Sequence, residues 1–355
     1  MFLLTSQRIP KLKSNLSQRI TDSSSSTTNL NYSSVQESPA LSKKFITKSS
    51  ASSSAIVDDE TLTVSATSFL VKKFGENGKG IGKFSNPQDV CFYDNETLIV
   101  SDSINQSVQL FDILSGNVKS ILFDKKKPIR DLRRPIGLSI TPQKHILVAD
   151  YDQRCIGELH SDSRFIRKFG EQHLVGPKGV TCSISDMIAV VDNKANSICL
   201  FHSDGKFSHR FGSPGAQKHQ IAGPHYAAFD SKNNNIIVSY FHNSSIKIFD
   251  IASGQLLFTF GSNGNRHGEF QGPTGLTVDN EKDMIFVSDW GNNRVQVFDK
   301  NGLFIRILQP KDEPLYGPQG LDFNSSSQML AVADSGTHTA KLFSVKDLLA
   351  TETSE

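Results

Sequence analysis

Residues 272–308 read GPTGLTVDNEKDMIFVSDWGNNRVQVFDKNGLFIRIL, and this stretch decides the fold. Thr274 to Val278, Met284 to Ser288, Arg294 to Phe298 and Leu303 to Leu308 are short runs with the two-residue period of a β-strand. Between them stand Asp279-Asn280-Glu281-Lys282-Asp283, Gly291-Asn292-Asn293 and Lys300-Asn301-Gly302. Such residues tolerate φ > 0 or close Asx turns. The stretch predicts four antiparallel strands joined by tight hairpins.

The same punctuation recurs along the chain. A residue–Pro turn occurs at Asn86-Pro87, Arg134-Pro135, Gly176-Pro177, Gly223-Pro224, Gly272-Pro273 and Gly317-Pro318. Each is followed by a hydrophobic–small–Asp step ending at Asp102, Asp150, Asp192, Asp289 or Asp334, with Tyr240 in the fourth copy. Successive prolines lie 48, 42, 47, 49 and 45 residues apart. A repeat of this length, filled with four short strands, is the signature of a propeller blade. Fixed offsets agree: six residues past the Asp position stand Val108, Ile156, Ile198, Ile246, Val295 and Ala340. Nine residues past it stand Phe111, Leu159, Phe201, Phe249, Phe298 and Phe343, a core position. The fold class is therefore all-β, a six-bladed propeller over residues 68–346.

The sixth copy stops after its third strand, Lys341 to Val345. The missing strand, Phe69-Leu70-Val71-Lys72-Lys73-Phe74-Gly75, stands at the front of the domain. Pairing it with the last blade closes the ring and removes an exposed edge. Residues 1–67 hold seventeen serines and no sustained periodicity, so they are expected to form a disordered leader, and residues 347–355 a short tail.

Bulk properties narrow the function. The chain carries 38 Lys+Arg against 36 Asp+Glu, and residues 69–345 carry 30 against 28. No global field drives it onto nucleic acid or membrane, so any basic surface must be local. Cys91, Cys155, Cys182 and Cys199 lack CxxC spacing and read as small core residues in a reducing, cytoplasmic compartment. No apolar run reaches membrane-spanning length. The histidines show no metal-ligand spacing, the serines no partnered His/Asp, and the glycines no phosphate-cradling loop before a helix. The expectation is a chain without catalytic residues, metal or cofactor.

Several segments carry a family resemblance. They are Val148-Ala149-Asp150-Tyr151-Asp152-Gln153-Arg154, Gly176-Pro177-Lys178-Gly179-Val180, Val191-Asp192-Asn193-Lys194 and Ala222-Gly223-Pro224-His225-Tyr226. Phe241-His242-Asn243, Asp289-Trp290-Gly291-Asn292 and Glu313-Pro314-Leu315-Tyr316-Gly317-Pro318-Gln319-Gly320 complete them. Together they resemble the NHL-repeat propeller of the tripartite-motif proteins, in the neuronal subgroup that also carries a filamin-type domain. The resemblance implies the client-binding half of a RING-type ubiquitin ligase. A RING needs eight paired Cys/His ligands, which this sequence does not supply. The implied role is an adaptor in protein ubiquitination, with a RING partner in trans. Other propellers of the family bind single-stranded RNA, which makes post-transcriptional regulation the alternative.

In a meander the blade-to-blade loops share one end with the turns after each Asp. Those turns offer Tyr151, Arg154, Lys194, Phe241, His242, Trp290, Arg294 and His338. The loops offer Lys125, Lys126, Lys127, Arg130, Arg133, Arg134, Lys178, His225, Tyr226 and Tyr316. Aromatics beside cations can grip an extended peptide or stack bases. Each also has a structural reading: Tyr151, Phe241 and Trp290 as wedges between blades, 125–127 as a solvated loop, and the Asp series as Asx-turn acceptors. Some six-bladed propellers are lyases or lactonases that hold a metal in the central channel. The inner-strand positions read as facing that channel are Val90, Leu138, Val180, Ala227, Leu276 and Leu321, which makes this the weakest reading.

Overall fold

A computed structural model describes residues 70–123, 133–212, 222–310 and 312–346. The expected leader (1–67) and tail (347–355) lie outside the described residues, as do 125–127 and Arg130.

Six four-stranded antiparallel sheets make up the domain. Blade 1 is built from Pro87–Phe92, Thr97–Asp102, Ser107–Asp112 and Val118–Phe123. Blades 2 to 5 repeat this order from Pro135, Pro177, Pro224 and Pro273. Every blade therefore begins its innermost strand at the proline of the residue–Pro turn. That suits proline, which has a fixed φ and no N–H to offer a ladder. The innermost strands contact one another in ring order, and Pro318–Asn324 of blade 6 returns to Pro87–Phe92 of blade 1.

Blade 6 is a composite. Pro318–Asn324, Met329–Asp334 and Thr339–Ser344 come from the end of the chain, and Leu70–Phe74 supplies the outer strand. Leu70 pairs with Phe343, Lys73 with Lys341 and Phe74 with Ala340. The closure read from the sequence is the one observed.

The core lies between blades. Six clusters of buried apolar residues each join one blade to the next, including the cluster of Phe74, Val90, Val100, Ala333 and Leu342 across the closure. The six residues at the nine-residue offset are all buried. Phe111 shows their role: its ring lies 5.6 Å from Phe74 on the closing strand and 5.6 Å from Phe84 on the following loop. Apart from two single 3-10 turns, at Trp290–Asn292 and Ser335–Thr337, the described residues contain no helix, and none that could cross a membrane.

The positions read as channel-facing are a correction. Val90, Leu138, Val180, Ala227, Leu276 and Leu321 point into the inter-blade clusters instead. A register shift just past the proline in every inner strand changes the alternation there.

Phe74 is 1% exposed and joins both ends of the chain. Phe74→Ala is therefore expected to destabilise the domain by about 3–5 kcal/mol. Urea denaturation followed by fluorescence checks this, and a loss under about 1 kcal/mol would contradict the closure.

Candidate functional site

Each proline pairs across its blade with the Asp-position residue, as Pro87 with Asp102, Pro224 with Tyr240 and Pro318 with Asp334. Blade-to-blade loops and post-Asp turns thus emerge at one end of the ring, here called the proline face. The other end carries the first hairpin of each blade.

The five aspartates are fully buried. Asp102 accepts the N–H groups of Ser85 (2.6 Å) and Asn86 (3.1 Å), the two residues before Pro87. It also accepts those of Ile104 and Asn105 in its own turn (both 3.1 Å). Asp192 takes Val175 N (2.7 Å), Gly176 N (2.9 Å) and Ala195 N (3.0 Å), and Asp150 takes Arg133, Arg134, Asp152 and Gln153 N–H groups. One carboxylate thus ties the loop to the turn, which is the Asx-turn role. The turn then closes on a residue with positive φ in every blade: Gln106, Arg154, Asn196, Ser244, Asn293 and His338.

In blade 4 the ring of Tyr240 fills the Asp position. It lies 5.1 Å from the buried Lys247 ammonium, and its hydroxyl has no hydrogen-bond partner among the described residues. Gly223 N, whose counterpart Gly176 N meets Asp192, donates to Asn196 Oδ1 of blade 3 (3.0 Å), as Gly317 N of blade 6 donates to Asn293 Oδ1 of blade 5 (2.8 Å).

The aromatic residues after the Asp position pack over the glycine of the next blade's Gly-Pro turn. A Cβ on Gly176 would strike Tyr151 and Lys194, one on Gly272 would strike Phe241, and one on Gly317 would meet the Trp290 indole nitrogen at 3.0 Å. Trp290 nevertheless keeps 40% of its surface exposed and Tyr316 keeps 52%. His225 stacks on Phe241 (4.8 Å, 16°), and Phe241 meets Trp290 at 5.6 Å and His242 at 5.4 Å. Lys178 Nζ lies 3.1 Å from His225, and burial, followed by repulsion from Arg134, brings that ammonium down to about 8. Burial likewise holds His225 well below its ordinary value. An arc of Lys178, His225, Phe241 and Trp290 therefore runs over blades 3 to 5, with Tyr316 beyond it on the loop into blade 6.

Arg133, Arg134, Arg154, Lys194 and His242 are exposed on the same face. Arg134 lies over the Tyr151 ring (5.0 Å) and 3.7 Å from Asp152. Three of the residues read as partner-binding have other work. Arg294 is buried, 2.9 Å from Asp289, and donates to the carbonyls of Asn265, Arg266 and Glu269, so it holds the preceding loop. His338 Nδ1 meets Ser85 O (2.8 Å), stitching blade 6 to the loop before blade 1. Tyr226 is 5% exposed, and its hydroxyl donates to Gln88 O (2.7 Å).

That last bond joins blade 4 to blade 1, which stand opposite each other in a ring of six, so the Tyr226 side chain crosses the axis. Its place in the repeat is two residues after the proline, where the other blades carry Gly137, Gly179, Gly275, Gly320 and, in blade 1, Asp89. A Cβ at Gly137 would strike Lys178 O at 2.4 Å, and one at Gly275 would strike Gln319 O at 2.3 Å, so the inner strands pack backbone to backbone. Asp89 bridges to blade 2 by accepting Leu138 N (2.8 Å). Burial pushes its carboxyl well above the usual range, with hydrogen bonds from Leu138 and Val90 opposing the rise, and Asp322 is raised by burial too. The departure of Asp89 and Tyr226 from the glycine pattern was visible in the sequence had the six inner strands been aligned on proline. Among the described residues, no group of three or more His, Cys, Asp or Glu side chains could hold a metal ion.

Residues 270–298 match the NHL repeat. No curated protein sequence matches the chain. Solved structures do. A gluconolactonase from Xanthomonas campestris is 17% identical with a TM-score of 0.58, over 74% of this chain and 87% of that one. A Bacteroides thetaiotaomicron protein of unknown function is 13% identical with a TM-score of 0.64, over 79% and 75%. Virginiamycin B lyase from Staphylococcus aureus is 14% identical with a TM-score of 0.52, over 73% and 95%. At these identities the likeness is one of fold. The chain is a six-bladed propeller carrying an NHL repeat, and no catalytic family is identified for it.

Asp192→Ala leaves three N–H donors without their acceptor and is expected to cost about 3 kcal/mol or more, read from chemical denaturation. For Asp89 the folded state binds its proton more tightly than the unfolded chain does. Its contribution is therefore fully present below about pH 4 and declines as pH rises from there toward its raised folded value. The stability of the natural chain relative to Asp89→Asn should accordingly fall between pH 4 and pH 7 in paired urea titrations.

Proposed function

We infer that the proline face is a docking surface for partner proteins, which it grips as an extended segment lying across blades 2 to 6. The observation that carries this reading is the arc of Lys178, His225, Phe241 and Trp290, whose members are fixed by packing yet leave the indole part exposed. Large aromatics held in place, beside cations, give contact area at little entropic cost, which is the composition of interface hot spots. The arm of Tyr226 across the axis supports docking on the face over entry of a substrate into the channel, although two of the structural neighbours bear enzyme names.

The resemblance to tripartite-motif propellers extends the reading. The propeller would present clients to a ubiquitin-ligase system whose RING acts in trans, at a cytoplasmic location. A second reading, single-stranded RNA, draws on the exposed Arg133, Arg154 and Lys194, none of which is within ion-pair distance of a described carboxylate. Phosphate contacts would make such binding fall steeply with salt.

The double variant Trp290→Ala/Tyr316→Ala tests the face. Trp290 is 40% exposed and Tyr316 52%, and neither belongs to the inter-blade core, so the variant should still fold, with a lowered melting temperature, while affinity-captured partners are lost by about tenfold or more. Retention of every partner by the folded variant would overturn the assignment. Captured RNA whose binding drops sharply as salt rises would favour the second reading.

A further inference from the structure

The proline face is divided in charge. Its blade 2 and blade 3 portion carries the exposed cations Arg133, Arg154 and Lys194, and its blade 4 to blade 6 portion carries Phe241, Trp290 and Tyr316. Lys178 stands at the junction, on the inner strand of blade 3. Its Nζ is 3.1 Å from Nδ1 and 3.1 Å from Nε2 of His225. The lone-pair directions of an imidazole's two nitrogens diverge, so an ammonium equidistant from both takes a well-aligned hydrogen bond from neither. No described carboxylate lies within ion-pair distance of it. The comparison within the ring is informative. Arg294 is neutralised by Asp289 at 2.9 Å and Lys341 by Asp334 at 2.8 Å, both pairs fully enclosed. Lys178 is a half-buried cation without such a partner, and the depressed value of its ammonium is what burial without an anion produces.

We propose that Lys178 is the seat for a carboxylate side chain of an extended protein segment, whose apolar neighbour lies on Phe241 and Trp290. The proposal rests on the docking reading and names the chemistry of the partner. A carboxylate fits better than a phosphate monoester, because the seat offers one ammonium. The adjacent guanidinium of Arg134 is already stacked on Tyr151 and beside Asp152, whereas a dianionic phosphate draws several N–H donors. It also fits better than a nucleic-acid backbone, which needs a row of cations on a domain whose charges here nearly cancel. The steps from Lys178 to His225, to Phe241 and to Trp290 (3.1, 4.8 and 5.6 Å) bound the separation of the acidic and apolar residues at about four positions in an extended chain.

The test selects short random peptides displayed on phage against the full chain and sequences the binders. The expected result is enrichment of Asp or Glu within about four positions of Trp, Phe or Leu. The strongest peptide is then titrated, with its acidic residue intact or changed to the amide, against the natural chain, Lys178→Met and the Trp290→Ala/Tyr316→Ala variant. Lys178→Met keeps the aliphatic stem and should weaken the acidic peptide by about tenfold while leaving the amide peptide unchanged. The amide change is made on the peptide, so the seat is tested even where the protein variant folds poorly. Equal affinity of acidic and amide peptides for the natural chain would overturn the seat. So would binding confined to phosphorylated versions of the peptide or to an oligouridine competitor. If the aromatic double variant loses every peptide while Lys178→Met loses none, the docking face stands and the seat falls. If neither variant loses any peptide, both fall.

Discussion

A buried carboxylate in five of the six blades governs the arrangement of this propeller. In front of each blade-opening proline the chain presents N–H groups that no strand accepts, because proline breaks the ladder there. An ionised carboxylate has two oxygens and can take several such donors at once. Asp102, Asp150 and Asp192 do this for the loop before the proline and for the turn that follows the aspartate. Asp289 and Asp334 hold the preceding loop in the same way, at Gln271 N (2.7 Å) and Tyr316 N (2.8 Å). Both segments belong to the proline face. The residues that could meet a partner are thus positioned by the same bonds that finish each blade.

Departures from the repeat mark where the ring is specialised. Blade 4 lacks the carboxylate and keeps only the bond from Gly223 N to Asn196 of blade 3, which blade 6 matches with Gly317 N to Asn293, while the Tyr240 ring joins the core between blades 3 and 4. Blades 1 and 4 also replace the inner glycine, with Asp89 bridging to blade 2 and Tyr226 reaching across to Gln88. The Tyr226 side chain lies across the axis of the ring, and Asp89 stays between neighbouring inner strands. The likeness to a gluconolactonase and a lyase is a likeness of scaffold, and function on such a scaffold is decided by the site.

Much of the fold was legible because it is repeated. Strand period and turn residues recur six times and the proline-to-aspartate spacing five times, and the incomplete sixth copy pointed to the N-terminal strand as its complement. The channel was not legible, since the register shift after each proline turns the alternating pattern and sends Val90, Leu138 and their equivalents into the inter-blade cores. Arg294 looked like a surface cation beside Trp290, and only the path of the loop at 265–269 shows that its guanidinium is enclosed by backbone carbonyls. The Tyr226 hydroxyl finds its acceptor 138 residues away, a contact no local pattern encodes. Shared location on one face was readable from topology, whereas the order of contacts along the arc required side-chain positions.

Hydrogen exchange read by mass spectrometry, on the free chain and on the chain loaded with a peptide selected for binding, tests the central claim most directly. A ring that docks partners on its proline face predicts new protection in segments 222–227, 240–244, 289–293 and 314–319, with the opposite hairpins at 183–187, 230–235 and 279–284 unchanged. Protection concentrated in those hairpins, with the proline face unaltered, would contradict the account.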